Sequence, residues 1–576
     1  MQKIQKAHEK RKFWQWAELW LVAIILVQTA VYAVIGAKKA YFHMDEIYSY
    51  GLANYDRVQL YEDEEFYGNW HTPEYYDDYL VVNEDEQGDF APVYENQKND
   101  VHPPLFYLLL RLGMELTPGQ FSKWTGIVLN MVIAAVNTVL IYVIIGRILG
   151  LKRGEWSARK AKALALTAVV VLGLATVSTV IYIRMYELLT MWILLTTYLH
   201  LRLLEVTPKQ AKMVSKKVKN AEGKKELELD VEVGKRQWLL LLIGLVALAG
   251  VLTQYYYAFF LVALVGYFAV YYIQQKRWKE WWGYLGALAV AGAVSLVIWP
   301  WSVQHLFFSN RGGGVLERFT HPGMLLGDLW QYLGVVDKYA FHYLLLVAIL
   351  GLLFLGGRAL AKREKVSWKM ERRRNFVMVL VPSLFYLLIV TAVSPFIELR
   401  YVAPVCGLMM MLVVMALWQV MSLVWGGGGK WRNWMMAGGI VFFAVMPVLT
   451  GVQPDTMYTE RAEVVEWIQK HENVPALYLT QGKGDWVFLN DILLFRELDE
   501  SYIVKDLQGR EEEKQAQIQK ILQRRNLSNG LIVVVNDDYD ETQMIKMIEN
   551  ATGLQDVEHV ARVVTSDVFY IKKIEP

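Results

Sequence analysis

Runs of about 18 to 22 apolar residues recur along roughly the first 450 positions of this chain, each long enough to cross a hydrocarbon core of about 30 Å. A segment of that kind satisfies its backbone in lipid only as a helix or in a closed barrel, and runs of this length select the helix. Of the 576 residues, 55% are hydrophobic, above the roughly 45–50% of soluble domains. The chain therefore reads as a polytopic α-helical membrane protein with about eleven spans. They fall at 17–37, 123–147, 163–181, 186–205, 238–253, 256–274, 282–300, 341–357, 376–394, 402–425 and 434–451. The first run, Leu19 to Ala37, follows the basic start "MQKIQKAHEKRKFWQW". It has no small-residue cleavage site and is too long for a signal-peptide core, so it reads as a retained helix.

The loops sort by charge. "LKRGEWSARKAK", "PKQAKMVSKKVKNAEGKKELELDVEVGKRQ", "QQKRWKEWW", "GRALAKREKVSWKMERRRN" and "GGGGKWRN" are rich in Lys and Arg and alternate as cytoplasmic loops do. The basic N-terminus falls on their side. The opposite set holds the long acidic, Tyr-rich segment 38–122, the short turns "IYIRMYE" and "LTQYYYAF", the segment 301–340 and "SPFIELRY". Trp and Tyr crowd the ends of the runs, as at bilayer interfaces. The net charge of +2 suggests no nucleic-acid partner, and the single cysteine, Cys406, excludes an intrachain disulfide and a CxxC metal site. No fixed-period repeat is visible, which argues against a solenoid and against an inverted-repeat transporter.

With an odd number of spans, 452–576 falls on the extracytoplasmic side as a second domain. It reads as small and α/β: a helix at "RAEVVEWIQKH", a strand at "ALYLT", a charged helix near 510–525, a strand at "GLIVVVNDD" and a hairpin in "HVARVVTSDVFYIKKI". No Gly-rich phosphate loop is expected after these strands, so a binding or structural role is expected.

Span centres are almost free of ionisable residues, where a coupled transporter keeps a carboxylate or a broken helix. The unusual polar residues gather at the outer ends instead: Asp45 and Glu46 after the first span, Arg184, Tyr186 and Glu187 after the third, Gln254 and three tyrosines after the fifth, Arg400 and Tyr401 after the ninth. Singly, each has an ordinary explanation. An acidic pair outside a helix is usually solvated loop, and arginines at helix ends snorkel. "QYYY" reads as an aromatic belt, and "HPP" at 102–104 as a helix start. Together they place polar groups from four helix ends at one membrane face, where an amphiphilic substrate would sit. Gly312 to Gly314, in "SNRGGGVLERF", would permit a hinge or an ordinary flexible loop.

The ordered set of motifs adds a family resemblance. "HMDEIYSYGLAN" followed by "NQKNDVHPPLFYLLLRL", then "IRMYELLTMWILLTTYLHLRL", "LTQYYYAFF" and "SPFIELRYVAPV", resembles the dolichyl-phosphate-mannose-protein mannosyltransferase-like glycosyltransferases of the GT-C fold. The similar branch is the bacterial one labelled glycosyltransferase family 39. The resemblance covers roughly residues 15 to 425 and leaves the C-terminal domain (452–576) outside. It implies an integral plasma-membrane enzyme of bacteria that moves a sugar from a polyprenyl phosphate to an acceptor hydroxyl on the extracytoplasmic face, inverting the anomeric centre. Asp45 matches the general base and Glu46 its neighbour; His102 matches the histidine of HPP and shapes the site. Arg400 with Tyr401 matches the position that holds the lipid phosphate. Arg184 with Tyr186 matches a turn that binds phosphate or sugar, and Gln254 and Tyr255 match a further substrate-binding turn. Two departures stand out. Tyr182 replaces an acidic residue or Gln of many relatives, and Gln254 replaces a His. No cofactor is expected: His43, Asp45, Glu46 and His102 could approach a divalent ion, but similar branches generally use none. The partners implied are the lipid-linked donor, an unnamed hydroxyl acceptor and membrane lipids. Two other classes fit the sequence less well, a flippase for lipid-linked sugars and a non-catalytic envelope assembly protein.

Overall fold

The computed structural model describes residues 17–56, 59–151, 158–206, 225–308, 321–361, 370–424 and 451–574. Among them, seven helices are long and apolar enough to cross a membrane: Glu18–Lys38, Lys123–Leu149, Gly234–Thr253, Tyr257–Gln274, Trp278–Ile298, Glu371–Val393 and Leu399–Trp418. Two bent pairs raise the number to nine if each is one span. The chain is thus a polytopic helical membrane protein. The expected span 186–205 is the helix Tyr186–Glu205, which is not among the seven and carries Glu187, His200, Arg202 and Glu205. The expected span 434–451 and the glycines 312–314 and 426–429 lie outside the described residues, apart from Gly451 itself.

Both bends have local causes. Arg159–Val171 and Leu174–Ile181 meet at 52° across Gly173, where the Thr176 hydroxyl donates to the Val170 carbonyl at 2.8 Å. Gly323–Phe341 and Leu345–Arg358 meet at 91°. There His342 and Tyr343 both take left-handed backbone angles (φ 51° and 64°), and the Asp337 carboxylate accepts from the amide of Leu345 at 2.8 Å, capping the second arm.

The chain forms two compact units. The first comprises Met1–Val34, Val101–Phe106 and Asn130–Asp455, and the second Ile35–Asp100, Tyr107–Leu129 and Thr456–Pro576. The sequence places a break near 451 and keeps 38–122 with the spans; by contact, most of that segment groups with the C-terminal stretch.

In the first unit, polar side chains fasten the helices to one another. Asn130 donates to the carbonyls of Thr179, Val180 and Tyr182 at 3.4, 3.2 and 2.9 Å, covering C-terminal carbonyls that the helix Leu174–Ile181 leaves without helical partners. Glu187 accepts from Asn137 and from Thr179, each at 2.6 Å. His200 is buried, contacting the Thr196 carbonyl at 2.8 Å and the Tyr284 hydroxyl at 2.9 Å. Tyr257 and Thr196 share a hydrogen bond at 2.6 Å. At Gly250 the Tyr257 ring stands so close that an added Cβ would lie 2.6 Å from it, so a side chain there would displace the turn that follows.

The second unit is built on a six-stranded sheet. Its strands are β1 (Trp70–His71), β2 (Ala476–Thr480), β3 (Ser501–Lys505), β4 (Leu531–Asn536), β5 (Asp556–Arg562) and β6 (Ser566–Lys572), in the order β1-β3-β2-β4-β6-β5. The three central strands are parallel, and β2 and β4 are buried along their whole length, as parallel strands covered on both faces must be. Leu477, Leu479, Val533 and Val535 share a core with Ile518, Leu522, Met544 and Ile548 of the helices Glu511–Leu522 and Glu541–Thr552. On alternate positions, Tyr478 packs on Phe488 and Phe495, and Phe488 on Phe66 and Tyr76. The Tyr76 hydroxyl bonds Ser501 at 2.6 Å. The segment after the first helix therefore supplies both an edge strand and part of the second covering layer. A glycine-containing turn, Gln481–Asp485, follows β2. The amide of Gln481 donates to Asp538 at 2.8 Å, and Asp485 pairs with Lys505 at 2.7 Å.

Candidate active site

The two acidic neighbours of the first motif lie in the second unit, at the start of the helix Met44–Asn54. His43 caps that helix: its Nδ1 accepts from the amide of Asp45 at 3.1 Å, while Glu46 reaches back to the amide of His43 at 3.0 Å. A ring nitrogen that accepts carries no proton. The 3.7 Å approach of the same Nδ1 to the Asp45 carboxylate is therefore no ion pair in that tautomer. Glu46 is wholly buried and pairs with the equally buried Lys39 at 3.0 Å; Lys39 also donates to the Thr456 carbonyl at 2.6 Å. The Asp45 side chain stays 28% exposed. One carboxylate is tied into the scaffold and the next is reachable from solvent.

The other end of this helix is equally constrained. Asn96 donates to the Tyr55 carbonyl at 2.7 Å, and the buried Arg111 donates to the Asn54 side chain and the Glu86 carbonyl, each at 2.7 Å. The Tyr79 ring stands over Gly51, where an added Cβ would fall 1.9 Å from it.

The remaining expected residues lie in the first unit, where three helix-end turns converge on Arg400. Its guanidinium pairs with Glu398 at 2.7 Å and donates to the Tyr182 hydroxyl at 2.6 Å. It stands 5.1 Å from the centre of the Tyr401 ring. Tyr186 stacks near Tyr182 and meets Tyr401 edge-on, and Tyr256 meets Tyr401 from a third turn. The Tyr386 hydroxyl, donating to the Tyr401 carbonyl at 3.0 Å, fixes the first turn of the helix Leu399–Val424. The result is a buried guanidinium flanked by the phenol rings of Tyr182 and Tyr401, with Tyr186 and Tyr256 packed behind them, a setting that suits an oxyanion.

Arg184 is buried in the same turn as Tyr182. Gln254 is buried before Tyr256, but the Tyr255 hydroxyl is held elsewhere, by His305 at 2.9 Å and the Trp299 indole at 3.1 Å. The ring that joins the Arg400 group is thus Tyr256. His102 is buried just before the helix Leu105–Met114. Sequence reasoning missed the contributions of Tyr182, Glu398 and Lys39. Tyr182 had a signal, as the departure from the family pattern in that turn; Lys39 and Glu398 had none beyond their nearness to the motifs. Among the described residues, no group of three or more His, Cys, Asp or Glu side chains is arranged to hold a metal ion.

No family model matches the chain, and no curated protein matches it. Among solved structures it is similar to ArnT from Cupriavidus metallidurans bound to undecaprenyl phosphate, at 14% identity over 96% of this chain and 98% of that one, with a TM-score of 0.43. The apo state of the same protein gives 13% identity, 95% and 98% coverage and a TM-score of 0.42.

Proposed function

We infer that this protein is an inverting glycosyltransferase that moves a sugar from a polyprenyl phosphate to an acceptor hydroxyl at the extracytoplasmic face. The observation that carries the reading is the Arg400 group, a guanidinium set among Tyr182, Tyr186, Tyr256 and Tyr401 at helix ends of a membrane protein. The reaction is a single displacement. Asp45 takes the proton of the acceptor hydroxyl as its oxygen bonds the anomeric carbon. The bond from that carbon to the phosphate oxygen breaks, and its electron pair leaves with the phosphate. Arg400 balances the charge that grows there, and the leaving group needs no proton. The acidic, Tyr-rich outer segments and the basic loops opposite them support the assignment to the outer face.

The test is turnover of a panel of radiolabelled polyprenyl-phosphate sugars by the purified protein. Arg400→Lys keeps the charge but loses the planar fork, and is expected to lower kcat/KM for the consumed donor by about one to two orders of magnitude. Wild-type kinetics from Arg400→Lys would remove this residue from the phosphate site.

A further inference from the structure

The stretch that leads into the Asp45 helix is gripped by two consecutive residues of the C-terminal α/β portion. Asn490 accepts from the amide of Met44, the residue before Asp45, at 2.9 Å. Asp491 accepts from the Tyr41 hydroxyl at 2.5 Å and from the Ser566 hydroxyl at 2.9 Å. Both are buried, and both sit at the end of the 3₁₀ turn Asp485–Asn490. That turn is anchored by Phe488, which packs against Tyr478 of β2 and against Phe66. The other half of the Asn490 amide, Nδ2, is buried with no hydrogen-bond partner among the described residues. Leaving a buried donor unmade is costly. An apolar residue would avoid that cost, but it would also remove the acceptor for Met44.

The first amides of a helix have no partner within it. Here three consecutive ones are met by different groups: Met44 by Asn490, Asp45 by the His43 ring and Glu46 by the His43 carbonyl. Of these acceptors only Asn490 comes from a distant part of the chain. We propose that Asn490 and Asp491 are positioning residues, through which the C-terminal α/β domain sets the orientation of the helix that presents Asp45. This rests on the reading of Asp45 as the base. It gives that domain a part in the reaction without requiring it to touch substrate.

The test uses the full-length protein and two variants, Asn490→Ala and Tyr41→Phe, the second removing one hydroxyl with little change in packing. Hydrogen exchange and donor-consumption kinetics are measured side by side. Exchange across residues 43–54 is expected to quicken about tenfold or more in both variants, while β2 and β4 keep wild-type protection. In Asn490→Ala, kcat is expected to fall by one to two orders of magnitude, because displacing a catalytic group by about 1 Å costs about 10²-fold, with KM for the donor within about twofold. Unchanged exchange at 43–54 would overturn the proposal. So would helix and strands loosening together in both variants, or a rise in KM at constant kcat. If the wild type consumes no donor yet the exchange pattern holds, the proposed reaction fails and the two residues stand as anchors of this helix.

Discussion

Asp45 and Glu46 are adjacent carboxylates with opposite surroundings. Glu46 is sealed against Lys39 and closes the capping box of its own helix, whereas Asp45 keeps a partly exposed side chain. Removing one member of a buried ion pair strands the other charge, at a cost of about 3–5 kcal/mol. Glu46→Ala is therefore expected to lower stability by about that amount, read as a depressed thermal midpoint of the purified protein. Replacing both Lys39 and Glu46 by apolar residues of similar volume is expected to cost less. Nothing in the letters "DE" distinguishes the two, because the difference comes from a lysine six positions upstream and a carbonyl at Thr456. The motif pointed to Arg400 as the candidate phosphate ligand, which is the role proposed for it. Its contact with Tyr182 was not legible, since 218 positions separate the two.

At the scale of elements, periodicity located most of what exists. Among the described residues the apolar runs are helices, and "ALYLT" and "GLIVVVNDD" hold β2 and β4. The strand β3 is as long as β2 but escaped notice because its apolar run is only "YIV", set between charged residues. β1 has only two residues and exists because β3 offers it an edge. The 3₁₀ turn Asp485–Asn490 is likewise set by tertiary packing, and it makes a pH effect testable. Burial pushes the Asp491 carboxyl up to about 6, against the pull of hydrogen bonds from Tyr41 and Ser566 and of the Arg461 and Arg562 charges; the Tyr478 phenol also faces it. An unfolded carboxyl titrates near 3.9. Between about pH 4 and 6 the folded chain therefore binds the extra proton, and stability falls as pH rises through that window, by on the order of 2–3 kcal/mol. Asp491→Asn is expected to flatten that part of the profile, measured as thermal midpoints at pH 4.5, 5.5 and 7. A slope identical to wild type would show that other groups set it.

At the scale of the whole molecule, the apolar runs established a helical membrane protein, and the acidic segment after the first helix stood out by its composition. The segment's partner was not legible. Tyr41 meets Asp491, and Met44 meets Asn490, across about 450 positions of sequence, and no local pattern records such a pairing. What reads as a long external loop is structurally part of an α/β unit with the C-terminal stretch, and the candidate base is carried on that unit. The central claim is that Asp45 accepts a proton during sugar transfer. Its most direct test compares wild type with Asp45→Asn in consumption of radiolabelled polyprenyl-phosphate sugars, including slow hydrolysis, which requires no knowledge of the acceptor. The account predicts that wild type consumes one donor and that the folded variant is slower by about 10²–10⁴-fold, the range of general-base catalysis. Equal consumption by the two proteins, or donor binding without turnover in both, would contradict it.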